Sequence, residues 1–485
     1  MRGRAPQEGR VASPATSEER TGPAVVAPGA ALAAPDGAAP AKPRPDLAFP
    51  PRLRIADRQQ PLSPMLIDDL LEPDHPARGV WRFCEGLDLT ALYDRIRARG
   101  PTAGRPPIDP RILVALWLYA TLAGVRSANA LADLVIHHDA YFWLAGGNLV
   151  NAHTLSDFRV QDGDLLEQML AHSVTVLREQ GLIDLGRVAQ DGMRVRASAG
   201  AASFRRRETL EKLLQEAQAE LQRVEQPGDS PPAQQQPEPS PQQRAAQRRH
   251  AKERVERIRQ ALARMPEMEE KKEKARRKNR QNKGGKKGEK DQAARVSTTD
   301  PAATVMKMPD GGYRPAYNVQ FSTACQGQVI VGVDVVTEGT DHGQLPPMLG
   351  QIEGRFGQRP KEALVDGGFA SHEDIEEVQN GEKGCKVYAP VPEPKKEGVD
   401  RHEPKATDSQ EVAEWRTRMG TDEAKEIYKQ RAATAECVNA QARNRGLIQL
   451  VVRGLRKVKA VALWFATAHN LARGFALQPL PLLTG

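Results

Sequence analysis

Apolar positions follow a helical period through the first part of the chain and a strand period further on. Leu89, Leu92, Tyr93 and Ile96 fall on one face of a helix. Asp109-Pro110 opens a strongly apolar segment, Ile112 to Leu122, with Asp109 placed as a cap and Pro110 in the first turn. Ser127 to His137, Ala140 to Leu144 and Leu165 to Glu179 read as further helices, separated by short turns such as Gly146-Gly147. Several short helices joined by tight turns fit a helix-turn-helix-like DNA reader or a small bundle with a packing or dimerisation role. Pattern alone favours the bundle.

From Arg187 the period changes. Arg187 to Ala197 predicts two strands about a turn at Asp191-Gly192. Leu210, Leu214, Ala217, Leu221 and Val224 then step by four and three, as do Ala251, Val255, Ile258, Leu262 and Met265. These are two coiled-coil-type seams or two ordinary amphipathic helices. With the Pro/Gln-rich stretch Pro227 to Gln243 between them, they predict an inserted antiparallel hairpin. Strands resume at Tyr317, Val319 and Phe321, and at the β-branched run Val329 to Val336. A helix over Gln344 to Phe356 follows, then the strand Ala363 to Asp366. Ser371 with Asp374 marks a helix start, Lys386 to Ala389 a last strand, and the chain from Glu414 to about Ala476 reads as helical except near Gly446. This order predicts an α/β fold: a helical N-terminal region, then a mixed sheet interrupted by the hairpin.

Composition adds boundaries. Residues 1–60, rich in Ala, Pro, Gly and Arg, read as a disordered leader, and no apolar run reaches the roughly 18–20 residues that span a bilayer. Cys84, Cys325, Cys385 and Cys437 form no CxxC pair, so neither a zinc site nor a disulfide framework is suggested and a cytoplasmic setting fits best. The net charge is +8, and Lys271 to Lys290 alone holds 11 Lys/Arg against Glu273 and Glu289. That tract is either a phosphate-binding feature or a solvated charge run. The chain has no Gly-rich phosphate loop followed by Lys-Ser/Thr.

Asp191 and Asp366 each precede a glycine at the expected end of a strand, and Glu436 lies in a predicted helix from Tyr428 to Asn444. Carboxylates carried by two strands and a helix suit hard cations such as Mg²⁺ or Mn²⁺. Taken singly, a strand-end Asp is more often a turn former and a helical Glu more often part of a solvated face. Asp334, Glu338, Asp341 and Glu426 are rivals, read as cap, turn or surface charges.

Three segments resemble the signature regions of bacterial insertion-sequence transposases of the DDE class. The first is Gln190-Asp-Gly-Met-Arg-Val-Arg-Ala-Ser198. The second runs from Ser297-Thr-Thr-Asp-Pro301 through Asp310 to Gln320 and on to Val365-Asp-Gly-Gly-Phe369. The third spans Tyr428-Lys-Gln-Arg431, Glu436, Asn444-Arg-Gly446 and Ala468-His-Asn-Leu471. Pro107 to Pro110 and His153 to Arg159 resemble the family's N-terminal region.

The resemblance implies an RNase H-like catalytic domain over 186–485, with 204–295 as the inserted hairpin and basic tract, behind a DNA-binding helical domain over 61–185. It implies Asp191, Asp366 and Glu436 as catalytic acids and ligands of two Mg²⁺ or Mn²⁺ ions. Tyr428 and Arg431 match the family motif that contacts DNA phosphate. Seven residues past the glutamate, where relatives usually carry lysine, stands Arg443; nearly two helical turns keep it on the face of Glu436, with altered hydrogen-bond geometry. Cys437 and Val438 stand where many relatives carry a proline. The implied activity is metal-dependent cleavage and joining of double-stranded DNA, at terminal inverted repeats and a target, by a homodimer, with no membrane partner. The alternatives are a non-catalytic DNA-binding protein derived from a transposase, and a coiled-coil scaffold that binds nucleic acid through the basic tract.

Overall fold

In a computed structural model of the chain the described residues are 49–478, without 60, 63–64, 101–104, 227–239, 284–292, 382–383 and 395–397. Most of the expected leader, and parts of the Pro/Gln-rich stretch and of the basic tract, therefore lie outside the described residues.

Among the described residues the part before the sheet is mainly helical, its longer helices being α1 (Pro76–Glu85), α2 (Pro110–Leu122), α3 (Ala128–His137), α4 (Asp139–Ala145), α5 (Ala152–Gln161) and α6 (Gly163–Glu179). Their starts follow side-chain chemistry. The Asp109 carboxylate accepts the Arg111 N–H at 2.8 Å, and Asn151 Oδ1 accepts the Thr154 N–H at 2.8 Å. The helix expected across Leu89 to Ile96 is a single turn, Thr90–Tyr93. The buried Arg99 guanidinium takes the carbonyls of Tyr93 and Ile96, which a longer helix would have used for its own ladder.

The sheet begins with β1 (Arg187–Arg196), one continuous strand with no turn at Asp191-Gly192. After it come α7 (Arg207–Glu225) and α8 (Pro241–Lys283). These run antiparallel: Arg207 pairs with Glu269 at 2.7 Å and Glu225 with Arg248 at 3.1 Å. Leu210, Ala217, Val255, Ile258 and Met265 fill the space between them. Where the hairpin leaves the sheet domain, Phe204 pairs with Ser297, and the Thr298 N–H donates to the Ser203 carbonyl at 3.0 Å.

The remaining strands are β2 (Thr304–Lys307), β3 (Tyr313–Ala324), β4 (Ile330–Val336), β5 (Glu362–Leu364) and β6 (Lys386–Tyr388). The spatial order is β6-β5-β1-β3, with β2 and β4 both on the far edge of β3. β3 is antiparallel to β1, β2 and β4, whereas β5 and β6 run parallel to β1. Helices α9 (Leu345–Phe356) and α10 (His372–Gln379) connect the strands from β4 to β6. The C-terminal part is α11 (Gln410–Gly420), α12 (Asp422–Arg431), a π-turn (Ala432–Glu436), α13 (Cys437–Asn444) and α14 (Leu455–Leu477).

Side chains alternate across β1 and β3 with period two. Met193 and Val195 pair with Val319 and Tyr317, and this face joins α14 and the N-terminal helices in one apolar cluster. The opposite face carries Gln190, Gly192 and Arg194 beside Ser322, Gln320 and Asn318, a largely polar row of which all but Arg194 and Gly192 are fully buried. In α14, Asn470 lies across the end of β4. Its Nδ2 donates to the Ile330 carbonyl and its Oδ1 accepts the Ile330 N–H, both at 2.8 Å. Among the described residues no helix is long and apolar enough to cross a membrane.

Candidate active site

The register of the sheet brings the two aspartates together. β1 and β5 pair with a constant offset, Arg187 with Glu362 and Ala189 with Leu364. That offset of 175 residues also carries Asp191 to the level of Asp366, two residues past the last pair on each strand. Asp191 therefore lies inside β1 and not at its end. Nine consecutive pairs with β3, from Val188–Ala324 to Arg196–Ala316, hold the strand straight through it. Gly192 is needed for space and not for a turn. A Cβ there would lie 2.2 Å from Asp341 Oδ1 and 2.4 Å from Gln320 Nε2. Asp366 ends its strand in a tight turn, where its Oδ1 accepts the Gly368 N–H at 2.8 Å.

The third carboxylate arrives on the helical segment α12–α13. Five residues at 3.6 per turn would set Arg431 and Glu436 about 140° apart on an α-helix. The π-turn, Ala432–Glu436, widens the helix so that residues five apart come together. Arg431 Nη1 consequently donates to Glu436 Oε1 at 2.8 Å, and Arg431 Nη2 lies 3.7 Å from Asp191 Oδ2. One turn beyond the glutamate, Asn439 Nδ2 donates to the same Asp191 oxygen at 2.9 Å. Tyr428 shares a side-chain hydrogen bond with Arg431 and feels the charges of Asp366 and Glu436. Thus Asp191, Asp366, Glu436, Tyr428 and Arg431 converge. Arg443 is exposed on α13, with its side chain outside this cluster of contacts.

Electrostatics follow from burial. Asp191 has a side chain 17 % exposed, and burial pushes its carboxyl up to about 6; Arg431 opposes the rise, while Asp366 and Asp341 add to it. Arg431 is held in its charged form by Asp191, Tyr428, Asp366 and Glu436, against the cost of its burial. Arg431 already occupies the space between Asp191 and Glu436, and among the described residues no three His, Cys, Asp or Glu side chains form a ready-made cation cage.

Asp341 and Asn439 were not singled out from sequence as part of this site. Asp341 does not begin α9; it is buried ahead of it. Its Oδ1 accepts from Asn318 Nδ2 and Gln320 Nε2, both at 2.7 Å, and Arg194 Nη2 lies 3.7 Å from its Oδ2. The signal was present as two amides, Asn318 and Gln320, at polar positions that alternate with Tyr317, Val319 and Phe321 on β3. The other rivals are surface charges with lysine partners: Asp334 with Lys459, Glu338 with Lys271 and Glu426 with Lys429.

Two family comparisons bear on this arrangement. Residues 65–161 match the family described as Transposase domain (DUF772), and residues 383–475 match Transposase DDE domain. Together the two matches support an insertion-sequence transposase of the DDE class. The second match takes in Tyr428, Arg431, Glu436 and Arg443, and Asp191 and Asp366 lie between the two matched regions. No curated protein and no solved structure matches the chain.

Proposed function

We propose that this transposase cleaves and joins insertion-sequence ends by hydrolysis and transesterification of phosphodiesters, with Asp191, Asp366 and Glu436 as its catalytic acids. The observation that carries the reading is the bridge made by Arg431 between Asp191 and Glu436, residues 245 positions apart in sequence, beside an Asp366 brought level by strand register. The mixed sheet, with carboxylates on adjacent strands and a third on a helix, supports an RNase H-like catalytic domain over 186–485. The helical residues 61–185 would then hold the terminal inverted repeats.

The donors fit divalent cations. They are all carboxylate oxygens, the set preferred by Mg²⁺ and Mn²⁺, and the gap between Asp191 and Glu436 already attracts a positive group. Asp191, Asp366 and Glu436 would hold two such ions, which when bound supply activation of an attacking hydroxyl and stabilisation of the leaving oxygen. The chain's own groups prepare the rest. Asn439 and the Gly192 N–H fix the two oxygens of Asp191, and the Gly368 N–H fixes one of Asp366. Arg431, between Asp191 and Glu436, and Tyr428 beside it would offer a DNA phosphate a guanidinium and a phenol. Arg443, farther along the same helical segment, is the third phosphate contact in this reading. Two ends processed together call for a homodimer on DNA.

The test is a cleavage and strand-transfer assay in Mg²⁺ on DNA carrying the sequences that flank the reading frame. The wild type should cut and join. Asp191→Asn, Asp366→Asn and Glu436→Gln should each lose activity by a thousandfold or more, and wild-type turnover in any one of them would overturn the assignment.

A further inference from the structure

The charge balance of the chain is uneven in a second place besides the Lys271–Lys290 tract. From Cys437 to Gly485 there is no Asp or Glu, against seven Lys/Arg. Most of these cations lie in one short segment directly after the helix that follows the catalytic glutamate. Arg443, Arg453, Arg456 and Lys457 are exposed there, among the exposed apolar side chains Ile448, Val451 and Leu455. None of them forms an ion pair with a described residue, although Arg453 lies within electrostatic reach of the buried Asp300, which accepts the Gly454 N–H at 3.1 Å. Several exposed cations elsewhere have acidic partners: Arg314 has Asp310, Lys425 has Asp422 and Lys429 has Glu426.

The guanidiniums are anchored without being neutralised. Arg453 Nε donates to the Ser198 carbonyl at 3.2 Å, and Arg456 Nη1 to the Gln161 carbonyl at 3.4 Å. Arg126, from the loop between α2 and α3, reaches across with Nη1 on the Gln449 carbonyl at 2.9 Å. A single carbonyl uses one of five N–H donors and cancels no charge, so each side chain is held in place with donors to spare. Beneath the segment lies a cavity of about 50 Å³ lined by Arg126, Arg159 and Arg445 and by no carboxylate. Arg159 is 7 % exposed, yet its Nε finds no acceptor among the described residues, and neither does Nη1 of Arg445. These N–H groups keep the cavity beneath the strip positively charged.

We propose that residues 443–457, together with Arg126, form a surface for the phosphate backbone of duplex DNA, separate from the Lys271–Lys290 tract. The inference rests on the transposase reading for the class of partner. Its geometry is independent of the catalytic acids. At 1.5 Å per residue, Arg443 lies about 10 Å along the helix from Glu436. A duplex whose scissile phosphate reaches the carboxylates therefore continues over the strip, which holds it in line. Arginine and lysine facing water recognise phosphates whatever the base sequence.

The experiment is fluorescence anisotropy with the full chain in EDTA, on a labelled duplex of random sequence, across a salt series. The variant is Arg453→Gln, Arg456→Gln, Lys457→Gln, which leaves Arg443, Arg431 and the carboxylates untouched. A paired control, Arg314→Gln with Lys425→Gln, removes two cations that already have acidic partners. If each phosphate contact contributes about 0.9 to the slope of log K against log salt, the triple variant should show a slope shallower by about 2 to 3. It should also bind at least tenfold more weakly at 0.1 M salt, with an unchanged melting temperature, while the control keeps the wild-type slope. Wild-type slope and affinity in the triple variant overturn the proposal, as does an equal loss in the control. A wild-type chain that binds no duplex even at low salt overturns the transposase reading of the partner itself. Both results are read without cleavage activity.

Discussion

Replacing Asp191 with asparagine is expected to stabilise the metal-free protein while abolishing its chemistry. Burial raises the Asp191 carboxyl from 3.8 to about 6. At 1.36 kcal/mol per pH unit, the ionised form therefore costs the fold about 3 kcal/mol. Asparagine removes the charge but keeps a single acceptor oxygen. It can satisfy Asn439 or the Gly192 N–H, which now bond to different oxygens of Asp191, and loses about 1 kcal/mol for the other. The net gain is about 2 kcal/mol. At about 2 cal/mol/K of unfolding entropy per residue, a chain of 485 residues should melt about 2 °C higher. The pH dependence fixes the cause. Below about pH 4 the carboxyl is protonated in both folded and unfolded chains and contributes nothing. Between about 4 and 6 the unfolded chain loses its proton first, so the wild type is destabilised as pH rises, and above 6 the penalty is constant. Thermal unfolding in EDTA at pH 4 and pH 7.5 reads this directly. The advantage of the variant should appear only at the higher pH. A variant no more stable than wild type at pH 7.5, or one whose difference ignores pH, would refute the reasoning.

Other substitutions test separate parts of the structure. Gly192→Ala places a Cβ within 2.2 Å of Asp341 Oδ1 and should cost about 1 to 3 kcal/mol, measured by denaturant unfolding. Asn470→Ala leaves both polar backbone groups of Ile330 unpaired in a buried place and should cost about 2 to 4 kcal/mol by the same measurement. Arg431→Gln removes the cation nearest Asp191, so the pH at which wild-type stability declines should extend upward, as followed by thermal unfolding in EDTA between pH 5 and 8. Addition of Mn²⁺ should raise the melting temperature of the wild type and leave that of Asp191→Asn unchanged, as ligand binding to the folded state alone predicts.

Much of the fold was legible because its signals are local. Asp109 and Ser371 cap helices through hydrogen bonds two or three residues away, and the alternation of Tyr317, Val319 and Phe321 marks a face that the sheet does bury. What misled is equally specific. An Asp-Gly pair is a strong turn signal, but here the glycine makes room for an aspartate that lies 149 residues further along the chain, and nothing near it in sequence shows that. The role of Asp341 depends on amides of a neighbouring strand. The contact of Arg431 with Glu436 depends on a π-turn that helical periodicity does not anticipate. For the candidate site, Asp191, Asp366 and Glu436 drew attention through resemblance; as isolated acids they carry no mark that separates them from Asp334 or Glu426.

The clasp at the base of the hairpin bears on how this chain tolerates change in length. Ser203 and Thr298 touch through one backbone hydrogen bond, although 94 residues lie between them. The cost of closing a loop grows only slowly with its length, so the sheet is nearly indifferent to what is threaded between those two residues. Growth or shrinkage of the α7–α8 arm thus leaves the spacing of Asp191 and its partner strand untouched. Variation there is free to alter reach and charge without disturbing the carboxylates.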